Sequence, residues 1–189
     1  MLKNAFGGSS DTTLKTLRDT LLKIKSDGAF PLDELNKSLE IEVTMSNAEI
    51  EDLLTCKYRG KYTYLVLSLL YPDRDWKDTV FHEDHIFPDT EFGVKKLKKR
   101  GYDGEKIKRY LAVCNTVLNL ELLTDTDNLS KSSLPFDLWI VSRDDGFKKR
   151  HLIPERESYD LDDFENFIEA RKKLLVKQLK TICPLSEGD

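Results

Sequence analysis

Thr79-Val-Phe-His-Glu-Asp-His-Ile-Phe-Pro88 is the stretch whose reading decides the fold. Its β-branched and aromatic residues favour extended backbone, and Pro88, which has no amide hydrogen to donate, closes the run. A second extended run follows at Leu118-Asn-Leu-Glu-Leu-Leu-Thr124. Helices are expected between the two, near residues 91–99 and 104–114. Past the second run, Thr124-Asp-Thr-Asp-Asn128 reads as a turn rich in helix-capping types, with a short helix through Lys131 after it. Two strands set among helices predict an α+β, mostly helical fold.

The helices on either side carry their own signals. Phe6-Gly-Gly-Ser-Ser10 reads as a flexible opening or the remnant of a cut within a longer polypeptide. Asp11 suits the cap of a helix bearing Leu14, Leu17, Leu21 and Ile24, which Asp27-Gly28 ends. Pro31 fits a helix first turn, with Leu32, Leu35 and Leu39 on one face. Ser46 and Glu49 have capping-box spacing ahead of Ile50, Leu53 and Leu54. Residues 62–71 are apolar nearly all round, as a buried helix or a buried strand would be, the helix being the favoured reading. Closing helices are expected at 134–141 and 160–179, the second with a stripe of Phe164, Phe167, Ile168, Arg171, Leu174, Leu175 and Leu179. The expected organisation is an opening segment or truncated linker (1–10), a helical lobe (11–78), a two-strand core with a helical insertion (79–135), and C-terminal helices packed on the lobe (136–189).

Composition excludes several classes. With 39% hydrophobic residues in 189, the chain can build a core and is not disordered as a whole. No run approaches the ~20 apolar residues that span a bilayer, and no secretory signal opens the chain, so a cytoplasmic protein without membrane partners is expected. Cys56, Cys114 and Cys183 are odd in number and far apart, which argues against a disulfide scaffold or a four-cysteine zinc site and for buried apolar thiols. The formal net charge is −4, unlike a typical nucleic-acid binder, but the charge is unevenly spread. Lys95, Lys96, Lys98, Lys99, Arg100, Lys106, Lys108 and Arg109 face only Asp103 and Glu105 within one stretch, and residues 155–169 form an acidic counterpart. Such a run is a solvated helix face or a phosphate track.

The chemistry concentrates at His82-Glu-Asp-His85. A joint zinc site for His82 and His85 fits poorly, because residues three apart in a strand point to opposite faces. Asp84 offers a hard carboxylate oxygen and Asn128 a carbonyl oxygen, a donor pair suited to Mg²⁺ or Mn²⁺. An imidazole at His85 could take a proton from water, since histidine titrates near neutrality. Lys131, one helical turn beyond Asn128, would share its face and reach a phosphate. The implied chemistry is phosphodiester hydrolysis. Asp84 and His85 can serve one centre only if the strand bends between them.

Asp84-His85-Ile86-Phe87-Pro88, Asn119-Leu-Glu-Leu-Leu123 and Asn128-Leu-Ser-Lys131 together resemble the HNH (ββα-metal) nuclease motif in its Asp-His, Asn, Asn form. The spacings from Asn119 to Asn128 and on to Lys131 are similar to those of CRISPR-effector HNH domains. Phe6-Gly-Gly, Leu67-Ser-Leu-Leu-Tyr-Pro72, Phe81 to Pro88, Asn115-Thr-Val-Leu-Asn119 and Asn166-Phe-Ile-Glu-Ala-Arg171 extend the likeness to the C-terminal nuclease domain of GmrSD-type modification-dependent restriction endonucleases and of SspE-like phosphorothioate-dependent defence proteins.

The resemblance implies His85 as general base, and Asp84 and Asn128 as holders of Mg²⁺ (or Mn²⁺). Asn119 would brace the loop between the strands, and Lys131 would sit on phosphate. His82 and Asn115 become accessory residues, His82 either touching substrate or serving a structural hydrogen bond. It implies DNA as substrate, with the eight basic residues of 95–109 on its phosphates. It also implies a nucleotide-hydrolysing, modification-sensing domain or subunit for which this chain has no phosphate loop, so that the chain would be the effector part of an anti-phage restriction system. A noncatalytic DNA-binding or assembly module of the same fold, and an RNA-cleaving toxin, stand as the alternatives.

Overall fold

The computed structural model describes residues 10–24, 31–39, 44–71, 76 and 79–183. The expectations at Phe6–Ser10, except Ser10, and at Asp27-Gly28 lie outside them. The chain divides into two units, one within residues 1–46 and 183–189 and the other 47–182. The first holds helices α1 (Ser10–Lys23) and α2 (Leu32–Leu39), which touch each other. Asp11 lies inside α1 rather than capping it, and Leu14 and Leu21 stay exposed.

The second unit is mostly helical around one small antiparallel sheet, so the fold is α+β. Helices α3 (Asn47–Leu53) and α4 (Thr63–Leu69) belong to it and not to a separate lobe reaching residue 78. The reason is burial: Ile50, Leu53, Val66 and Leu67 are inside it, α4 lying against the second strand and α3 against the last helix. Strand β1 (Phe81–His85) leads through a 3₁₀ turn to α5 (Val94–Lys99) and α6 (Gly104–Val113), then by a second 3₁₀ turn to β2 (Leu120–Thr124). Helices α7 (Asp125–Lys131), α8 (Phe136–Ile140), α9 (Asp145–Arg150) and α10 (Phe164–Ile182) complete it.

Short side chains set the helix starts. The carboxylates of Asp103 and Asp144 accept from the amides of Lys106 and Phe147, each at 2.7 Å, and start α6 and α9. Thr124 does the same for α7 by accepting from Asp127 N–H. The stretch expected as a turn is therefore helical from Asp125 onward, because the residue types that favour turns also favour a first helical turn.

β1 and β2 pair in a regular register, His82 opposite Leu123, Asp84 opposite Glu121 and His85 opposite Leu120. Behind the hairpin, Phe87 is wedged among Phe136, Phe164 and Phe167, with ring centroids 4.8–5.1 Å away. Burying such a ring contributes about 2–3 kcal/mol and fixes where β1 stops. Arg171 lies within the apolar stripe of α10, wholly buried. Its guanidinium donates to the carbonyls of Val117, Leu118, Leu120 and His151, so one side chain satisfies the backbone that leads into β2. Burial pulls its pKa down to about 10, offset in part by Tyr71 and Glu121, so it remains charged at neutral pH.

The three cysteines are free; Cys114 is buried, its thiol pushed up to about 11 by burial, whereas Cys56 and Cys183 are only half-buried. Among the described residues no helix is long and apolar enough to cross a membrane.

Candidate active site

β1, β2 and α7 form a ββα unit, and the residues singled out in the sequence lie on or beside it. Alternation along β1 sends His82 and Asp84 to one face and His85 to the other. The bend that would turn Asp84 and His85 together is absent between them: pairing stays regular through His85, and the chain bends only at Ile86 and Phe87.

On the first face, Lys131 of α7 is wholly buried, its ammonium 2.6 Å from Asp84 Oδ2, 2.9 Å from Glu121 Oε1 and 2.5 Å from the His85 carbonyl. This corrects the expectation that Lys131 faces a phosphate. An ammonium held by two carboxylates and closed off from solvent serves as their counter-charge. Glu121, 1% exposed, also has His151 Nδ1 2.9 Å from its Oε2, within ion-pair distance. His151 reaches on to the Tyr71 hydroxyl, which accepts from Leu122 N–H. Burial alone would raise the Glu121 pKa, but Lys131 and His151 more than offset it and hold the carboxyl well below the usual range.

A pH dependence follows from that shift. A carboxyl depressed in the folded state adds stability that is complete above its ordinary value of 4.5 and fades as pH falls below it. Denaturant titrations between pH 7 and pH 3 should show wild type losing stability steeply with acid, and Glu121→Gln starting lower but falling less. Parallel curves for the two proteins would take Glu121 out of the acid response.

His82 Nε2 meets Asp125 Oδ1, tying β1 to the start of α7. Two donors here suit a divalent cation. Lys131 occupies only Oδ2 of Asp84, and neither Asp84 Oδ1 nor the Asn128 carboxamide has a hydrogen-bond partner among the described residues. Asn128 lies one turn before Lys131 on α7. Asp84 and Asn128 each offer a hard oxygen of the kind that Mg²⁺ or Mn²⁺ takes, and the two stand on separate elements. A joint zinc site for His82 and His85 is not formed: the two rings lie on opposite faces and bind different partners, Asp125 and Asn115.

On the second face, His85 is 8% exposed, its Nε2 2.6 Å from Asn115 Oδ1. Asn115 Nδ2 donates to Asp89, which leaves its oxygen facing the ring. Nε2 is thus engaged by Asn115, and Nδ1 has no hydrogen-bond partner among the described residues. Tyr58 packs on the imidazole, ring centroids 4.5 Å apart. Asn119, wholly buried, accepts from Phe87 N–H at 3.0 Å and donates to the Phe87 and Cys114 carbonyls. Its carboxamide thus joins the chain leaving β1 to the chain entering β2.

The basic stretch divides. Arg100 pairs with Asp160 and Asp162, Arg109 with Glu165, and Lys106 sits 4.0 Å over the Tyr102 ring. Part of the acidic run is thus their partner within the molecule. Lys95, Lys96, Lys98, Lys99 and Lys108 remain exposed and form no ion pair among the described residues, though Lys96 lies near enough to Glu91 to act on its charge.

Tyr58, Glu121 and His151 were not singled out in the sequence. Glu121 carried a signal, since a carboxylate inside an apolar strand must find a cation; Tyr58 and His151, distant in sequence, carried none.

No protein-family model matches the chain, and no curated protein matches it.

Proposed function

We propose that the chain is a metal-dependent endonuclease of the HNH type that nicks or cuts duplex DNA. The observation that carries this reading is the ββα unit with an imidazole at the end of β1. That imidazole has Nε2 committed to Asn115 and Nδ1 without a hydrogen-bond partner among the described residues, while Asp84 and Asn128 offer spare oxygens. His85 takes a proton from water at Nδ1. Asn115 and Tyr58 hold the ring, and Asn119 fixes the end of the strand that bears it. Lys131 and Glu121 hold Asp84 in place through Oδ2, leaving Oδ1 for a ligand. A divalent cation on Asp84 and Asn128 would neutralise charge on the phosphate and on the departing oxygen. Because Asp84 and His85 stand on opposite faces of β1, one phosphate can be served by both only if it lies across the strand. Lys95, Lys96, Lys98, Lys99 and Lys108 add attraction to the DNA backbone.

A cytoplasmic role in defence against foreign DNA, alongside a nucleotide-hydrolysing, modification-sensing domain or subunit, belongs to the same proposal and is supported by the resemblance of motif. The direct test is supercoiled plasmid incubated with purified protein in Mg²⁺, Mn²⁺ or EDTA. Metal-dependent nicked circles are expected, and their absence with both metals would end the reading. Asn115→Ala should slow nicking roughly 10-fold to 100-fold, because the base then loses its orientation.

A further inference from the structure

The turn between α3 and α4, Lys57-Tyr58-Arg59-Gly60-Lys61, lies against the candidate base. It is tied down at several points. Lys57 pairs with Thr116 in an isolated antiparallel bridge, Tyr58 N–H donates to the Asn115 carbonyl at 2.9 Å, and Arg59 N–H donates to Glu83 Oε2 on β1 at 2.7 Å. Gly60 is dictated by space, since a Cβ there would meet the Lys57 carbonyl at 2.7 Å. Arg59 is not dictated by the backbone at all. Its φ of 57° is a left-handed conformation that glycine or asparagine adopts at lower cost. What arginine adds is its head group. The guanidinium lies 5.1 Å above the Tyr58 ring, and that same ring touches His85. Arg100, Arg109, Arg143 and Arg156 are ion-paired and Arg171 is sunk among carbonyls, whereas Arg59 is exposed and its guanidinium has no ion pair among the described residues, Glu83 being bound only by its backbone N–H.

We propose that Arg59 binds substrate, gripping a phosphate of duplex DNA next to the one on which His85 acts. This rests on the nuclease reading above. An arginine braced on an aromatic face presents a planar fork of donors to a phosphate, and the strained, pinned turn keeps the fork beside the base. Lys57 and Lys61 add positive charge to the same turn.

The test uses the whole chain and a fluorescein-labelled 20-base-pair duplex, with binding followed by anisotropy in EDTA across a salt series and nicking followed separately in Mn²⁺. Arg59→Gly suits the backbone, so its Tm should equal or exceed that of wild type. Its Kd should rise about 5-fold to 10-fold, and the slope of log K against log salt should flatten by about 0.9. For nicking, KM should rise while kcat stays within about 2-fold. Arg59→Lys should recover part of the loss, and Lys177→Gln, a charge removed from exposed α10 surface, should leave Kd within about 2-fold. Wild-type affinity and slope in Arg59→Gly overturn the proposal, as does an equal loss in Lys177→Gln, which would make the effect one of net charge. If wild type binds and nicks the duplex and Arg59→Gly does the same, only this inference falls. A wild-type chain that neither binds nor nicks removes the nuclease reading and this one together.

Discussion

His85→Ala is expected to slow plasmid nicking by about 10²-fold to 10⁴-fold, the contribution of a positioned general base. The size follows from the hydrogen-bond order around the ring. Asp89 accepts from the Asn115 amide, Asn115 Oδ1 meets Nε2, and the remaining nitrogen, Nδ1, has no hydrogen-bond partner among the described residues. Alanine removes the acceptor and leaves the Asp84 and Asn128 oxygens untouched, so Mn²⁺ affinity measured by calorimetry should stay within about 2-fold of wild type while turnover collapses. Asp84→Ala should do the reverse to binding, losing Mn²⁺ affinity together with nicking. Equal nicking by His85→Ala and wild type would take the imidazole out of the mechanism.

The second large effect is on stability. Lys131→Met is expected to destabilise the unit of residues 47–182 by about 3–5 kcal/mol, because it leaves Glu121, almost without solvent contact, short of its principal counter-charge. For a unit of this size the loss corresponds to a Tm drop of roughly 10 °C. The double variant Lys131→Met/Glu121→Leu should regain much of it, since exchanging both members of a buried pair for apolar groups is often neutral. A double variant no more stable than Lys131→Met would mean that the damage is lost packing and not a stranded charge. Circular-dichroism melts of wild type and the two variants decide between the two.

Which features were legible in advance follows from how local their causes are. β1 could be read from Thr79 to Pro88 because side-chain type and a terminating proline act within a few residues, and α10 from the spacing of its apolar positions. Motif spacing picks out residues that fall on β1, β2 and α7, but not that Asp84 and His85 face opposite ways. Three things were not. The start of α7 was read as a turn, because Thr124 and the aspartates after it serve turns and helix caps alike, and only tertiary contact chooses between them. Helix α9 was missed: its six residues hold one apolar side chain, Phe147, too few to show a period. The burial of Lys131 was missed because a lysine on a short polar helix looks solvent-facing until Glu121 on the neighbouring strand is known to stand behind it. Arg171 combined both cases. Its place in the apolar stripe was visible, but the four carbonyls that justify a charge there come from Val117, Leu118, Leu120 and His151.

That last arrangement has a consequence for synthesis. A ribosome makes β1 and β2 well before it reaches position 171, so a nascent chain halted earlier carries both strands with the four carbonyls lacking their donor. The unit proposed to cut DNA therefore cannot finish assembling until α10 has emerged, and a polypeptide interrupted partway through translation would be a harmless one.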